Sequence, residues 1–503
     1  MVMNHKNRTN MKKIIYTLLL FGSISILSCK DYLDIQPIHN LTDANAIKDM
    51  ATAKAAIGGI YASFQNDDWS GGLYTAQASK AGFVRFSTRE YDMSYNQTNI
   101  GAASWTAFYK SLNAANFAIS GVSKLPDAAI NANDKNMLIA EGRCLRAWVN
   151  ANILWNYTHW WADDTDPYGL LYRDEVASLD NIRKARINVG ESYKKIYDDL
   201  DFAIANLSDF SSPRYVSKQF AKALKAKLLL YRAGYKNISA DLQSALGLVN
   251  DVLANHPASF AMEANLADVY ANAWDSKENL FVRYLEDDGT RSSKGGYYYT
   301  YYLSQIGGTK LPLPIGGVAT AGLVGGFDWF SADPRWPVVT GPVRGAETWD
   351  ASMRYTFKKV ARLGRYAGQV ASPPDEKYAA YYFRYPELYL MKAELLARTG
   401  ATPAQAIAPI NEMRAKRVTP VLPALNPANA DQLMDMIFKE IVTETFLENG
   451  SEFFATLRFK TNGQPWIVSL KNGKILEENK ICRPIPDAEI VNNPLMVQNP
   501  DLK

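Results

Sequence analysis

Apolar residues recur every three or four positions in several stretches of this chain, which is the spacing of one face of an α-helix. Three stretches carry this pattern with alanine or another small residue at several of the apolar positions: 137–161, 218–234 and 386–399. Small residues on a helix face let two helix axes approach closely. The pattern therefore predicts a mainly α-helical protein with closely packed helices.

The predicted helices come in consecutive pairs. A helix that ends near Gly400 is followed by a start signal at Thr402-Pro403 and by a second apolar face, so residues 385–418 form one predicted helix hairpin. Three further periodic stretches continue the series: 191–207, 218–234 and 241–254. A hairpin of this length is typical of tetratricopeptide-like repeats, which stack into a superhelical scaffold.

Two irregular regions interrupt the helical pattern. Residues 283–350 hold 12 of the 31 glycines and five prolines, and such a density excludes a regular helix. Residues 65–105 form the second irregular, aromatic-rich region, and binding residues commonly lie on loops that a rigid scaffold supports. The scaffold helices are expected mainly in 40–64, 106–282 and 380–460, and the loop-rich ligand regions in 65–105 and 283–379.

The N-terminal segment has the pattern of an export signal. Lys12-Lys13 precede a short apolar run over 14–27, and the small residue Ser28 stands directly before Cys29. A cysteine at this place indicates a bacterial lipoprotein, in which acylation of Cys29 anchors the mature chain. An ordinary cleaved signal with an incidental cysteine is the alternative. The predicted division is a signal peptide of the lipoprotein type over 1–28 and a mature body over 29–503.

The balanced charge of the predicted mature chain limits the classes of partner that it is expected to bind. The whole sequence has 55 basic and 51 acidic residues, and the first 28 residues carry four of the basic ones and no acidic one. A balanced body argues against nucleic acid, which needs a basic footprint. The two cysteines of the body, Cys144 and Cys482, are either buried free thiols or one disulfide.

Aromatic residues supply the candidate binding chemistry. The chain has 29 Tyr, 20 Phe and 11 Trp, and many lie outside the periodic stretches. An aromatic face stacks on the C–H surface of a sugar ring while polar neighbours bind its hydroxyl groups. Each of these aromatic residues could instead pack a loop against the scaffold. The candidate ligand-binding residues are Trp69, Tyr74, Arg85, Tyr91, Tyr95, Asn96, Tyr297, Tyr299, Trp329 and Trp336.

Catalytic and metal-binding motifs are missing from the sequence. It has no H-E-x-x-H, no serine nucleophile elbow and no P-loop, so an enzyme, a cofactor and a metal site are not expected. The acidic run Asp163-Asp164-Thr-Asp166 lacks the glycine and the distal glutamate of a calcium loop. It is interpreted as a solvated cap after a helix.

Several motifs, taken together and in order along the whole chain, resemble the SusD/RagB family of nutrient-binding outer-membrane lipoproteins. They are Cys29-Lys-Asp-Tyr-Leu-Asp-Ile-Gln-Pro37, Glu141-Gly-Arg-Cys-Leu-Arg-Ala-Trp148, the helix pair beginning Arg384-Tyr-Pro-Glu387, and the tail from Pro484 to Pro500. The resemblance implies a scaffold of tetratricopeptide-like pairs with the ligand site in its loop-rich portion. It also implies a partner, a SusC-like TonB-dependent barrel, and an outer-membrane location with the lipid-anchored body facing the cell exterior.

The resemblance and the aromatic residues favour a cell-surface lipoprotein that captures oligosaccharides and delivers them to the transporter. A peptide-capturing lipoprotein of the same type is the first alternative, and it would rely on backbone hydrogen bonds more than on stacked aromatic rings. The second alternative is a purely structural partner of the transporter. The three functions differ in whether a glycan, a peptide or no small ligand binds.

Overall fold

The computed structural model describes residues 46–64, 69, 71–83, 88–236, 238–285, 328–342, 355–357 and 378–503. The predicted signal peptide, Cys29 and three candidate ligand residues, Arg85, Tyr297 and Tyr299, lie outside the described residues. All of the elements named below belong to the unit from Asp49 to Lys503.

Helices dominate the described residues. In chain order they are α1 (Met50–Ala62), α2 (Gly71–Ala81), α3 (Thr88–Asp92), α4 (Ala103–Ser123), α5 (Ala132–Tyr157), α6 (Val189–Asn206), α7 (Lys218–Lys236), α8 (Ser239–Ala254), α9 (Leu266–Asn272), α10 (Asp328–Ser331), α11 (Trp336–Val339), α12 (Tyr385–Arg398), α13 (Pro403–Arg414), α14 (Ala430–Thr445), α15 (Ser451–Arg458), α16 (Trp466–Leu470) and α17 (Asp487–Asn492). The strands are β1 (Asn279–Leu285), β2 (Thr340–Pro342), β3 (Tyr355–Phe357), β4 (Tyr378–Arg384), β5 (Lys460–Thr461) and β6 (Gln464–Pro465).

Consecutive long helices pack against each other from α4 to α8 and again from α12 to α14. The predicted hairpin over 385–418 is confirmed as α12 and α13. Gly400 supplies the left-handed backbone between them, with φ of 90°. Thr402 caps α13, because its hydroxyl accepts a hydrogen bond from the Gln405 backbone. The mainly α-helical fold with tetratricopeptide-like pairs is therefore present.

Helix α5 runs through the interior of the scaffold. Every residue from Cys144 to Tyr157 is buried, and the absence of a side chain at Gly142 lets α4 approach closely. A Cβ atom on Gly142 would lie 2.8 Å from Ile119, which only glycine avoids. Cys144 is buried here as a free thiol, and Cys482 is likewise free and buried. The small residues of the sequence pattern thus serve close helix packing.

The region 65–105 is more helical than its composition predicts. It contains α2 and α3 and the start of α4. Gly71 and Gly72 disfavour helix, but they stand at the first turn of α2, and the apolar residues that follow are buried against α15. Tertiary burial therefore decides the structure of this segment, which intrinsic propensity alone does not predict.

Strands β1 and β4 join the two halves of the scaffold. They pair antiparallel, with Val282 opposite Tyr381, so the chain leaves the scaffold through β1 and returns through β4. Tyr385 begins α12 directly after β4 and donates its backbone N–H to the Glu278 carbonyl at 2.7 Å. The segment between β1 and β4 therefore starts and ends at one place on the helical body.

A buried ion cluster holds this junction. The Arg384 guanidinium contacts the carboxylates of Glu278 at 2.8 Å and Glu448 at 2.7 Å, and all three side chains are fully buried. Arg417 contacts Glu278 at 2.7 Å and Glu444 at 3.2 Å, also with no exposure. Burial alone would raise the pKa of Glu278, but Arg417 and Arg384 outweigh it and hold that pKa below its usual value.

Replacing Arg384 with methionine should lower the free energy of unfolding by about 3–5 kcal/mol, because three buried carboxylates lose part of their neutralising charge. Urea denaturation followed by tryptophan fluorescence measures the change. The matched control is Lys194→Met, whose exposed pair with Asp198 at 2.7 Å should contribute less than about 0.5 kcal/mol. Equal stability of the two variants would contradict the structural role of the cluster.

A candidate ligand-binding cleft

Four of the candidate ligand residues are packed in the interior. Trp69 is 1% exposed and lies between Phe64 and Phe108, with ring centroids 4.6 Å away on each side. Tyr74, Tyr95 and Trp336 are also buried. None of the four presents a free ring face to solvent, which agrees with the packing alternative considered for each aromatic residue.

The other three described candidates are half-buried. Tyr91 lies on α3, Asn96 lies in the following turn, and Trp329 lies on α10. The Asn96 side chain accepts backbone hydrogen bonds from Thr98 and Asn99 at 3.1 and 3.0 Å, which fixes the turn. Because this oxygen is used locally, Asn96 serves first to shape the loop.

Tyr91 lies next to a surface cleft that we name the Lys471 cleft. It encloses about 290 Å³, including space open to solvent, between the end of α3 and the segment 467–480. The lining is partly apolar and partly charged. Met93, Ile467 and Ile475 supply the apolar surface, and Asp92, Lys471 and Lys474 supply the charged groups. The Lys471 ammonium nitrogen lies 5.6 Å from the centroid of the Tyr91 ring.

Tight turns build both walls of the cleft. On one wall, Met93 adopts a left-handed φ of 51° directly after α3. On the other wall, the β5–β6 hairpin turns at Asn462-Gly463 and leads into α16, which ends in a second left-handed turn at Asn472-Gly473. Lys474 donates to the Asp92 carbonyl at 3.0 Å and so ties the two walls together.

Close packing behind the cleft brings a second lysine towards Lys471. Gly82 ends α2 with φ of 95°, and a Cβ atom there would lie 3.1 Å from Leu470 and 3.3 Å from Lys471. Lys80, on the same helix, is 2% exposed and donates to the Ile481 carbonyl. Burial lowers the pKa of Lys80 to about 8, although Glu90 opposes the shift.

Lys471 has the most perturbed amine of the cleft. Lys471 is 8% exposed, and its nitrogen is buried with no hydrogen-bond partner among the residues that the structure describes. Burial, followed by the charges of Lys80 and Lys474, lowers the pKa of Lys471 to about 7. A buried amine without a partner in a cleft is a candidate for ligand contact.

Trp329 lies near α16, at the end of that helix opposite to Lys471. The Trp329 ring lies 6.0 Å from Trp466, the first residue of α16, and 6.3 Å from Phe438. Trp466 itself stacks on Phe438 at 4.4 Å. The structure therefore brings a candidate from each loop-rich region to α16, with Tyr91 near its C-terminal end and Trp329 at its N-terminal end.

The segment 460–480 was not predicted as part of a site. A lysine in a polar stretch is usually exposed, so the burial of Lys471 has no sequence signature. The two Asn-Gly pairs that bracket α16 were the available signal, because Asn-Gly favours tight hairpin turns. These pairs predict tight turns on either side of α16, but they do not predict that Lys471 is buried in the wall that α16 forms.

The described residues contain neither a cluster of metal-binding side chains nor a helix suited to crossing a membrane. Among them no group of three or more His, Cys, Asp and Glu side chains is arranged to hold a metal ion. In the acidic run, Asp164 pairs with Arg232 at 2.6 Å and Asp166 caps the Tyr168 backbone at 2.8 Å. No helix in the described ranges has the length and apolar character that a membrane crossing requires.

Comparison with known proteins identifies the relatives of this chain. The profile of the SusD family matches residues 336–501. A SusD-like protein of Formosa agariphila is 23% identical and aligns over 97% of this chain and 99% of its own length. The chain is similar to SusD-like proteins over nearly its whole length. The predicted resemblance to the SusD/RagB family is confirmed.

Solved structures share the fold of this chain. A SusD superfamily protein of Bacteroides thetaiotaomicron has a TM-score of 0.68 with 18% identity, and the match covers 90% of this chain and 100% of that one. A laminarin-binding SusD-like protein has a TM-score of 0.67 with 19% identity and the same coverage. The wall of the Lys471 cleft that α16 forms lies within the residues matched by the family profile, whereas Tyr91 lies outside them.

Trp69→Ala should lower the free energy of unfolding by about 3–5 kcal/mol, because it removes a ring packed between two phenylalanines. Thermal and urea denaturation measure the loss. Tyr215→Ala is the control, since Tyr215 is 53% exposed and its removal should change stability by less than about 1 kcal/mol. A Trp69→Ala variant of unchanged stability would show that the ring is not part of the core.

Proposed function

We propose that this protein is a cell-surface glycan-binding lipoprotein that captures oligosaccharides and delivers them to a SusC-like TonB-dependent outer-membrane transporter. The observation that carries the proposal is the likeness, over 90% of this chain, to a SusD-like protein that binds laminarin. The aromatic residues and the lipoprotein signal of the sequence support it independently.

The Lys471 cleft is the part of the described residues that suits a saccharide best. It combines apolar side chains, such as Ile467 and Ile475, with amines and carboxylates that can bind hydroxyl groups. Tyr91 at its edge and Trp329 at the far end of α16 are the two described members of the predicted aromatic set that are not fully buried. We therefore assign oligosaccharide contact to Tyr91 and to the α16 wall.

This function requires binding and hand-over but no covalent step. A binding protein needs complementary contacts, which set specificity, and the transporter supplies the direction of movement. Tight turns and the Lys474–Asp92 hydrogen bond hold the cleft walls before ligand arrives. Such preorganisation reduces the entropy that binding must overcome.

The chain without its first 29 residues should bind at least one neutral or acidic polysaccharide in isothermal titration calorimetry against a panel that includes laminarin. Tyr91→Ala should weaken the affinity about tenfold, because an aromatic contact with the sugar is lost. Tyr215→Ala, at an exposed tyrosine that does not line the cleft, should leave the affinity unchanged.

The same titrations separate the alternatives. Binding of mixed peptides without any glycan signal would replace the glycan function with peptide capture. If neither glycans nor peptides gave a binding signal, and the protein still co-purified with the barrel, the purely structural role would remain. A glycan signal that Tyr91→Ala does not change would keep the function and remove the cleft as its site.

The proposed location depends on acylation of Cys29. Cys29→Ala should abolish incorporation of labelled palmitate and move the protein from the membrane fraction to the supernatant, because the thiol carries the anchor. Cys144→Ala is the control, since this thiol is buried in the scaffold and should not be acylated. Retention of label in Cys29→Ala would contradict the lipoprotein assignment.

A further inference from the structure

Buried positive charge exceeds buried negative charge beside the Lys471 cleft. Lys80, Lys471 and Arg483 are 2%, 8% and 7% exposed, and the buried carboxylate near them is Glu90. Glu90 already pairs with Arg483 at 2.9 Å. Lys80 and Lys471 therefore share one low-dielectric region, and no carboxylate of the described residues is in direct contact with either amine.

The groups around Lys471 come from each element that packs against it. Lys80 comes from α2, Glu90 and Asp92 from α3, and Lys474 from the turn after α16. Lys480 and Glu477, in the following segment, pair with each other at 2.6 Å. Arg483 and Tyr95 lie behind this layer, where Tyr95 donates to the Lys480 carbonyl. Lys80 and Lys474 repel a proton on Lys471, whereas Asp92 and Glu90 attract it only partly.

The Lys471 amine lies at the cleft, and the described residues supply no hydrogen-bond acceptor for it. Lys80 and Lys474 each donate to a backbone carbonyl, of Ile481 and Asp92 respectively. The Lys471 nitrogen is buried, Lys471 lines the cleft, and no hydrogen-bond acceptor of the described residues contacts that nitrogen. A buried polar group without a partner is costly, and such groups are normally satisfied by protein, water or ligand.

We propose that the Lys471 cleft binds a singly charged oxyanion of the captured saccharide, the carboxylate of a uronic acid or a sulfate ester, with the Lys471 ammonium as its hydrogen-bond donor. The saccharide part of this proposal rests on the proposed function. The anion supplies both the missing acceptor and the missing negative charge, and the resulting charge-assisted hydrogen bond is stronger than a neutral one.

The balance of charges on the cleft walls favours a single negative charge. Three lining residues are basic (Lys471, Lys474, Lys480) and two are acidic (Asp92, Glu477), so the charged cleft carries one net positive charge. A carboxylate or a sulfate ester neutralises it. A phosphate monoester, which is close to doubly charged at neutral pH, would leave an uncompensated negative charge beside Asp92 and Glu477.

Binding of the oxyanion should depend on pH in a defined direction. The free amine has a pKa of about 7, and a bound anion favours its charged form, so binding takes up a proton above that pH. The affinity should be highest near pH 6 and should fall about tenfold per pH unit above about pH 8. Carboxylates and sulfate esters stay ionised throughout this range, so the change in affinity reflects titration of the Lys471 amine and not of the ligand.

The decisive experiment is calorimetry of the mature chain with three oligosaccharides of equal length: neutral, uronic-acid and sulfated. The titrations run from about pH 6 to about pH 9. An acidic oligosaccharide should bind at least about tenfold more tightly than the neutral one near pH 6, and the preference should fade as the pH rises. The tighter of the two acidic arms identifies the oxyanion.

Lys471→Met should remove both the preference for acidic over neutral ligand and its pH dependence, because the ammonium donor is lost. This variant replaces a buried amine by an apolar chain of similar length, and a thermal melt verifies that it folds. Lys124→Met is the matched control at an exposed lysine outside the cleft and should change neither property. Equal affinity for acidic and neutral oligosaccharides, or an unchanged preference in Lys471→Met, overturns the proposal.

A second measurement separates this proposal from the proposed function. In the chain labelled with isotope-enriched lysine, NMR follows the titration midpoint of the Lys471 amine, assigned by its loss in Lys471→Met. Free glucuronate or a monosaccharide sulfate should raise that midpoint, even if no oligosaccharide binds. A midpoint that neither anion changes at high concentration overturns the anion site. Binding of neutral glycans alone would then leave the glycan function standing without that site.

Discussion

The fully buried contact between Arg384 and the carboxylates of Glu278 and Glu448 is the constraint on which the rest of the structure depends. Glu278 directly precedes β1, Arg384 ends β4 and Glu448 follows α14. Arg417 adds the turn that follows α13. Taking these charges out of water is costly unless every one is compensated. The cluster therefore forms only when the helix pairs and the strand pair are all in place, and it makes their arrangement interdependent.

The same compensation recurs elsewhere in the described interior. Arg335 contacts Asp333 and Glu440 at 2.8 Å, and Arg458 contacts Glu394 at 2.9 Å. Lys80 and Lys471 differ from these arginines, because among the described residues neither amine contacts a carboxylate, and burial lowers the pKa of each. Two neighbouring buried amines of lowered pKa, one of which lines a cleft, point to a site where a ligand anion completes the charge balance.

The sequence predicts what local signals determine. The α12–α13 hairpin follows from apolar spacing, Gly400 and the Thr402 cap, each of which acts within a few residues. The buried rings of Trp69 and Tyr95 could not be predicted, because irregular segments have no period that separates core from surface. Nor could the Lys471 cleft, since burial of a lysine arises from the approach of α2 and α3, which are distant in sequence.

Helix α14 links the ion cluster to the proposed ligand site. Its Glu444 contacts Arg417 in the cluster, its Glu440 contacts Arg335, and its Phe438 stacks on Trp466 at the start of α16. The cleft wall is thus supported by a helix whose position the buried charges fix. Support of this kind holds the backbone of the wall in place, so little of the free energy of oxyanion binding at the proposed site is needed to order that wall.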